Sequence, residues 1–132
     1  SVGIVYVTFI AMDVVEYVEP SGLSPFSDWF AGLDAQAAAK VTVALLRIGA
    51  GNLSNVKSVG GGVLEYRIDW GPGYRIYFGR DGQRLVILLA GGTKRRQQND
   101  IAAAQARWAD TAEDEGRTDM ALTRDFRETI KA

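Results

Sequence analysis

The chain has 132 residues, 47% of them hydrophobic and 23% charged, and it contains neither cysteine nor histidine. This length suits one domain with a single core and is too short for two ordinary domains. The missing residue types exclude disulfides, thiol catalysis, zinc sites of the usual kinds and every histidine-based acid–base scheme. Any chemistry must therefore use Lys, Arg, Tyr, Asp, Glu or the backbone.

The net charge is −1, but acidic and basic residues are distributed unevenly along the chain. Residues 1–35 have five acidic and no basic side chains, residues 36–97 have ten basic against three acidic, and residues 98–132 have five against eight. The basic middle favours an anionic partner, although its charges could also lie on solvated faces and bind nothing. No apolar run approaches the ~20 residues of a membrane span, so we expect a cytoplasmic protein without a membrane partner, a metal or a cofactor.

Two strand signals open the chain. Residues 3–11 are rich in β-branched and aromatic side chains, and residues 13–19 repeat the signal before a proline ends it. An exposed edge formed by residues 3–11 would be prone to aggregation. We therefore expect this strand to be covered or paired with a neighbouring molecule.

A helical hairpin is predicted next. Ser24, followed by a proline, is typical of a helix start, and the helix is expected to end near Gly32. Asp34 then predicts the cap of a longer helix, with Gly49 and Gly51 as its stop. Both helices have one apolar face, which needs a sheet to pack against.

The stretch from residue 63 to residue 100 organises the predicted sheet. The segments VLEYRIDW and YRIYF alternate with period two, which indicates strands with one apolar face. A three-residue loop at 71–73, with Gly73 in the left-handed conformation, would place Trp70 opposite Tyr74 and Arg67 opposite Tyr77. This register gathers five side chains on the other face: Glu65, Arg67, Asp69, Arg75 and Tyr77.

The second half of this stretch predicts a central strand and a helix. A turn at residues 81–82 leads into residues 85–90, which are apolar on both faces and indicate a covered strand. Two glycines are expected to end this strand. A basic run follows at that end of the sheet: Lys94, Arg95 and Arg96. Asn99 or Asp100 is predicted to cap a helix that docks on the sheet through its apolar face.

The cluster of charges suits phosphate chemistry. Guanidinium groups bind phosphate through paired hydrogen bonds, and Tyr77 could stack a base or move a proton. RNA supplies its own nucleophile, the 2′-hydroxyl, so that alignment and charge stabilisation are sufficient for slow cleavage. The alternative is that Arg67 and Arg75 only pair with Asp69 and Glu65 across the strands.

From about residue 13 to residue 112 the chain resembles the HigB-like branch of the RelE/ParE toxin superfamily, the phage-derived addiction-module killer proteins. The motifs that carry the resemblance are FSDWFAGL, RIGAGNLSNVKSVGGGVLEYRIDWGPGYRIYF and LVILLAGGTKRRQQNDIAAA. It implies an α+β, RelE-like fold, with an N-terminal helical hairpin packed on a twisted, mainly antiparallel sheet and a C-terminal helix. It also implies the toxin of a bacterial type II toxin–antitoxin system, a ribosome-dependent mRNA endonuclease (mRNA interferase) that inhibits translation.

The resemblance also implies partners and site residues. The partners would be mRNA on the ribosome and a HigA-like antitoxin protein. The catalytic residues would be Arg75, Lys94, Arg67 and Tyr77. Residues that bind RNA or phosphate would be Lys57, Arg95, Arg96, Gln97 and Glu65. Relatives that use a histidine or a late tyrosine have no equivalent here, so the acid and the base stay unassigned.

Both ends depart from the family pattern. Residues 1–11 precede Met12, the usual start, and read as an extension of the toxin domain at 12–112. Residues 113–132 read as an acidic linker and a short helix from Thr123, and MALTRDFRETIKA resembles the start of the partner antitoxin. We hypothesise that this tail lies against the toxin body or a neighbouring copy and reduces its activity; the alternative is a disordered tail.

The sequence does not decide between two possible dimer interfaces, and it allows two other functions. A homodimer could form through the N-terminal strand or through the C-terminal helix. The chain could instead be a ParE-like toxin that inhibits gyrase by protein contact and needs no catalytic cluster. It could also be a decayed, non-catalytic toxin that only binds its antitoxin.

Overall fold

A computed structural model of the chain describes residues 12–83, 85–113 and 123–125, and it has the predicted α+β class. The strands are β1 Asp13–Tyr17, β2 Val56–Gly60, β3 Val63–Ile68, β4 Tyr74–Asp81, β5 Leu85–Thr93 and β6 Thr123–Asp125. The helices are α1 Pro25–Ala31, α2 Ala35–Gly49 and α3 Gln97–Glu113, with a 3-10 turn at Lys94–Arg96. None of these helices is long and apolar enough to cross a membrane.

The six strands form one mixed sheet in the order β2-β3-β4-β5-β1-β6. Only the β1–β5 pair is parallel among the described strands, and the other four neighbouring pairs are antiparallel. This confirms the mainly antiparallel sheet. The assignment to a RelE-like fold in particular remains a prediction.

Both predicted starts of the helical hairpin are confirmed. Ser24 precedes α1, and its hydroxyl accepts a hydrogen bond from the Ser27 amide at 3.2 Å. Asp34 precedes α2, and its carboxylate accepts a hydrogen bond from the Ala37 amide at 2.8 Å. Each cap satisfies an amide that the first helical turn leaves unpaired.

Helices cover both faces of the sheet. One core layer joins the sheet to α1 and α2, and its helical members include Phe26, Val41 and Leu45. The other layer joins the sheet to α3 and is centred on Trp108. From Leu85 to Leu89, successive residues of β5 alternate between the two layers, so this strand is central and covered as predicted.

The predicted register between β3 and β4 is wrong by two residues. Arg67 lies opposite Arg75, and Glu65 lies opposite Tyr77. The loop between the strands has five residues, 69–73, because β3 already ends at Ile68. A shift of two residues keeps every side chain on its predicted face, since side chains alternate with period two.

The glycines at residues 91–92 do not end β5 as predicted, because the strand continues to Thr93 and pairs with the start of β4. They give space to side chains from the helices. The Trp29 ring lies against Gly91 on the α1 face, and the Asp100 carboxylate lies against Gly92 on the α3 face.

The predicted cap of α3 is also wrong. Helix α3 begins at Gln97, after the 3-10 turn, and Asp100 lies inside its first turn. The apolar face of the helix does dock as predicted, since Ile101 and Trp108 both pack in the layer beneath α3. The prediction failed at the boundary because the carboxylate packs against the sheet instead of capping the helix.

The helix predicted from Thr123 is wrong for its first three residues. Thr123–Asp125 forms β6, which pairs antiparallel with β1. An isolated helix of about eight residues is marginal, whereas the edge of β1 offers backbone partners at once. The predicted strand at residues 3–11 and the remainder of the predicted helix, residues 126–132, lie outside the described residues.

Candidate anion-binding site

A buried carboxylate lies at the centre of the candidate site. Glu65 occupies the middle of β3 on the α3 face, and its side chain is fully buried. It accepts a hydrogen bond from the Arg67 Nε at 2.9 Å and one from the Gln97 amide nitrogen at 2.8 Å. Three ion pairs also end on Glu65, from Lys57, Arg67 and Arg75.

Three cations from three neighbouring strands meet at this carboxylate. Lys57 of β2 places its Nζ 3.8 Å from Glu65 Oε1, and Arg75 of β4 places its Nε 3.8 Å from Oε2. The side chains of Lys57 and Arg67 are 49% and 41% exposed, whereas that of Arg75 is only 6% exposed. One buried anion therefore holds two solvent-facing cations and one inner cation.

The pKa of Glu65 is lowered by its neighbours. Burial raises the pKa, but the hydrogen bonds from Arg67 and Gln97 and the charge of Lys57 outweigh burial. The carboxylate therefore stays ionised at neutral pH and is a weak base. Its position suits an orienting role, not a contact with phosphate, although the family resemblance groups it with the phosphate-binding residues.

The basic run after β5 lies at the same end of the sheet. The Lys94 amide donates to the carbonyl oxygen of Gly73 at 3.0 Å, and Arg75 donates from Nη1 to the same oxygen at 2.7 Å. Lys94, Arg95 and Arg96 are all exposed. The structure therefore brings together the cations that the sequence places far apart, and Gln97 joins them through Glu65.

The predicted base-stacking role of Tyr77 is not compatible with its position. Its ring is fully buried in the layer beneath α3, so no base can reach it. Burial and the neighbouring charge of Glu65 raise the pKa of Tyr77 above its ordinary value of 10.0. The hydroxyl makes no hydrogen bond of regular geometry to the described residues. Tyr77 therefore fills the space beneath Glu65.

The alternative in which the two arginines pair with carboxylates is confirmed for Glu65 but not for Asp69 among the described residues. Arg67 and Arg75 both interact with Glu65, while Asp69 is exposed in the loop after β3. Sequence reasoning treated Glu65 as one charge among several. The signal that could have singled it out is its place as the one acidic residue of β3, two positions before Arg67 on the same face of the strand.

Asp100, a half-buried carboxylate, lies next to the basic run, and sequence reasoning missed its role. One oxygen of Asp100, Oδ2, is buried without a hydrogen-bond partner among the described residues. Burial raises the pKa of Asp100, and the charges of Arg96 and Arg107 only partly oppose it. The ionised form is thus less stable in the folded protein than in the unfolded chain.

Asp100→Asn is therefore expected to raise the melting temperature by a few degrees at pH 7. A raised folded-state pKa means that stability falls as pH rises from the unfolded value to the folded value and stays low above it. The advantage of the amide should therefore shrink below about pH 4. Thermal unfolding of both proteins from pH 3 to pH 8 checks this. Equal melting temperatures of the two proteins from pH 3 to pH 8 would show that the Asp100 carboxylate does not destabilise the fold.

The described residues hold no group of three or more acidic side chains that could bind a metal ion. The charged groups that the structure does bring together here are three cations around Glu65, next to the exposed basic run. At this end of the sheet they form a positively charged surface that is complementary to phosphate in charge and in hydrogen-bond donors.

Comparisons with known proteins give a family for this chain. Residues 28–114 match the family described as phage derived protein Gp49-like (DUF891). An uncharacterized protein of Haemophilus influenzae (strain ATCC 51907 / DSM 11121 / KW20 / Rd) is 42% identical over 81 residues, which are 61% of this chain and 82% of that protein. No solved structure matches. Because the family match covers most of the chain, the protein belongs to the Gp49-like family of phage-derived proteins.

Proposed function

We propose that this protein is the toxin of a type II toxin–antitoxin module and that it cleaves mRNA on the ribosome. The observation that supports this most is the convergence of Lys57, Arg67 and Arg75 on the buried Glu65, next to the exposed basic run. Membership in a phage-derived family fits a toxin whose second partner is an antitoxin protein. The mainly antiparallel sheet with its three helices is compatible with a RelE-like fold, which fits the same assignment.

The proposed reaction is an attack of the RNA 2′-hydroxyl oxygen on the adjacent phosphorus. The bond from phosphorus to the 5′-oxygen breaks, which leaves a 2′,3′-cyclic phosphate and a 5′-hydroxyl. The 2′-hydroxyl gives its proton to water, and the leaving 5′-oxygen gains one from water or from a cationic side chain. Charge builds up on the phosphate oxygens during the attack, and hydrogen-bond donors held in place stabilise it by factors of roughly 10²–10³ each.

The exposed cations are the ones that can reach a phosphate. Arg67 and Lys57 are half-exposed above Glu65. Lys94 is exposed in the 3-10 turn, and its amide donates to the Gly73 carbonyl oxygen that also accepts from Arg75. Arg75 and Glu65 are buried and hold this arrangement in place. We therefore assign phosphate contact to Arg67, Lys57 and Lys94, and positioning to Arg75 and Glu65.

Slow intrinsic chemistry follows from the residues present. Lys and Arg are poor bases at their usual pKa values, and the chain has no histidine. Most of the rate must then come from alignment of the RNA, which the ribosomal decoding site can provide. Cleavage is accordingly expected only in translated mRNA.

The test is translation in a bacterial cell-free extract, followed by primer extension on the mRNA. We expect the full chain to cut within codons and the Arg67→Ala/Lys94→Ala variant to cut at least 100-fold more slowly. Arg80→Ala is the matched control, because it removes a half-exposed positive charge near the far end of β4, away from the cluster. This control should cut as fast as the unmodified chain.

Three outcomes would contradict the proposal. If the double variant cleaved mRNA as fast as the unmodified chain, the cluster would not contact the phosphate. If mRNA stayed intact and translation continued with every protein, the chain would not be a nuclease. Inhibition of DNA supercoiling by gyrase, with mRNA intact, would favour the ParE-like alternative. Thermal unfolding of each variant separates loss of activity from loss of the fold.

A further inference from the structure

A cleft lies between α2 and the end of β3, on the α2 face of the sheet. Its volume is about 290 Å³, and it is lined mainly by one side of α2 and by residues 66–70. Helix α2 contributes Lys40, Val43 and Arg47, which share one face of the helix because they lie at helical spacing. Val43 therefore lies between the two cations. We call this feature the α2 cleft.

The α2 cleft carries more positive than negative charge. Its lining contains Lys40, Arg47 and Arg67 against one acidic residue, Asp69. Lys40 and Arg47 are exposed, and neither forms an ion pair with any residue that the structure describes. The Lys40 ammonium lies over Trp70 instead, 5.8 Å from the ring centroid. Both charges on α2 are therefore available to an external anion.

An aromatic and apolar wall lies beside these charges. Trp70 is half-buried, and its ring stacks on that of Tyr74 with 6.1 Å between centroids and 24° between planes. A ligand that fits this lining has anionic groups and a flat, partly apolar body. A nucleotide has both, and single-stranded nucleic acid is bound by grooves that combine cations with aromatic side chains. An acidic peptide supplies only the charge.

Arg67 connects the α2 cleft to the candidate anion-binding site. It lines the cleft, and its Nε donates a hydrogen bond to Glu65 at 2.9 Å. Strand β3 ends one residue later, at Ile68. An RNA strand with a phosphate at Arg67 therefore has only to pass the end of β3 to reach Lys40 and Arg47.

We propose that the α2 cleft binds the stretch of RNA next to the cleaved phosphate, an inference that rests on the proposed function. Lys40 and Arg47 are two helical turns apart, about 10 Å, so they contact two different backbone phosphates. One base lies against Val43 and Trp70. These residues position the RNA and do not touch the reacting atoms.

Binding of an RNA that cannot be cleaved tests the cleft separately from the reaction. The probe is a fluorescein-labelled single strand of about ten 2′-O-methyl nucleotides, which lacks the nucleophile. Fluorescence anisotropy measures its Kd with the full chain. Val43→Glu places a negative charge in the cleft and leaves every cation in place. Leu46→Glu is the matched control, because Leu46 is exposed on the same helix and does not line the cleft.

We expect Val43→Glu to bind the RNA at least tenfold more weakly than Leu46→Glu, although the two variants have the same net charge. Lys40→Ala/Arg47→Ala should also weaken binding at least tenfold. It should lower the slope of log Kd against log salt concentration by about 1.4, since each phosphate contact on a single strand contributes about 0.7. Lys40→Arg/Arg47→Lys keeps both charges and should keep the slope. An equal Kd for the two glutamate variants would overturn the proposal.

Cleavage of translated mRNA by the same proteins separates this proposal from the proposed function. If the unmodified chain cuts mRNA and Val43→Glu cuts it as fast as Leu46→Glu, the cleft does not position RNA, while the nuclease assignment stands. If the glutamate variants differ in RNA binding but no protein cuts mRNA, the cleft binds RNA and the nuclease assignment is wrong.

Two further measurements complete the test. If a decaglutamate peptide binds more tightly than the RNA and Val43→Glu abolishes its binding, the cleft takes an acidic protein segment and the proposal is overturned. Thermal unfolding of each variant shows that it is folded, because Val43 and Leu46 are 45% and 58% exposed and their replacement leaves the core intact.

Discussion

Glu65→Ala is expected to lower the free energy of unfolding by roughly 3–5 kcal/mol, because it leaves the inner cation Arg75 buried without its anion. The substitution also removes the acceptor of the 2.9 Å hydrogen bond from the Arg67 Nε. The exposed Arg67 guanidinium then loses its fixed orientation. Urea unfolding at pH 7 measures the change. Asp69→Ala is the matched control, since it removes an exposed carboxylate four residues along and should shift stability by less than about 0.5 kcal/mol.

The effect of Glu65→Ala should depend on pH in a defined direction. The folded-state pKa of Glu65 is lowered, so its contribution is complete above the ordinary value of 4.5 and is lost as pH falls through the folded-state value. The difference between the two proteins should therefore narrow at acidic pH. A difference that is small at pH 7, or that grows on acidification, would show that the ion pairs with Glu65 do not stabilise the fold.

Gly79→Ala is expected to cost about 3 kcal/mol of stability, near the upper end for an overpacked core. A Cβ atom at this position would overlap the six-membered ring of Trp108, which is held between α3 and the sheet. The backbone of Gly79 is not left-handed, so the expected cost comes from the overlap alone. Urea unfolding and near-UV circular dichroism measure the loss of stability and of indole packing.

Gly32→Ala is the matched control for Gly79→Ala. Gly32 follows α1 with an ordinary φ of −85°, and an added Cβ would lie 3.6 Å from the nearest atom, the Trp29 carbonyl oxygen. Its effect should stay within about 0.5 kcal/mol. In the Gly79→Ala/Trp108→Leu double variant, the smaller side chain should recover part of the loss. A neutral Gly79→Ala would show that α3 moves away from the sheet at little cost.

Several predictions that depended on neighbouring residues alone were successful, although the predicted cap of α3 was not. Ser24 and Asp34 both start helices, because a cap is formed by a side chain and an amide three residues apart. The alternation along β3 and β4 assigned their side chains to the correct faces, since that assignment needs no knowledge of the partner strand. The site residues on these strands were therefore gathered correctly even though the register was wrong.

Predictions that depended on distant parts of the chain failed. Gly91 and Gly92 resemble a strand end locally, but their missing side chains accommodate Trp29 and Asp100, which other elements supply. Tyr77 shares the face of the charged residues, yet α3 covers it completely. No local pattern distinguishes a tyrosine beneath a helix from one that faces solvent.

The parallel pairing of β1 with β5 has a consequence for the order in which the molecule is made. The two strands are joined in register from Asp13 opposite Leu85, although some seventy residues separate them. During synthesis β1 emerges first, but it has no partner until β5 has left the ribosome. Long-range closure of this kind slows folding. The nascent chain is therefore expected to build the β2–β5 meander first and to add its earliest strand late.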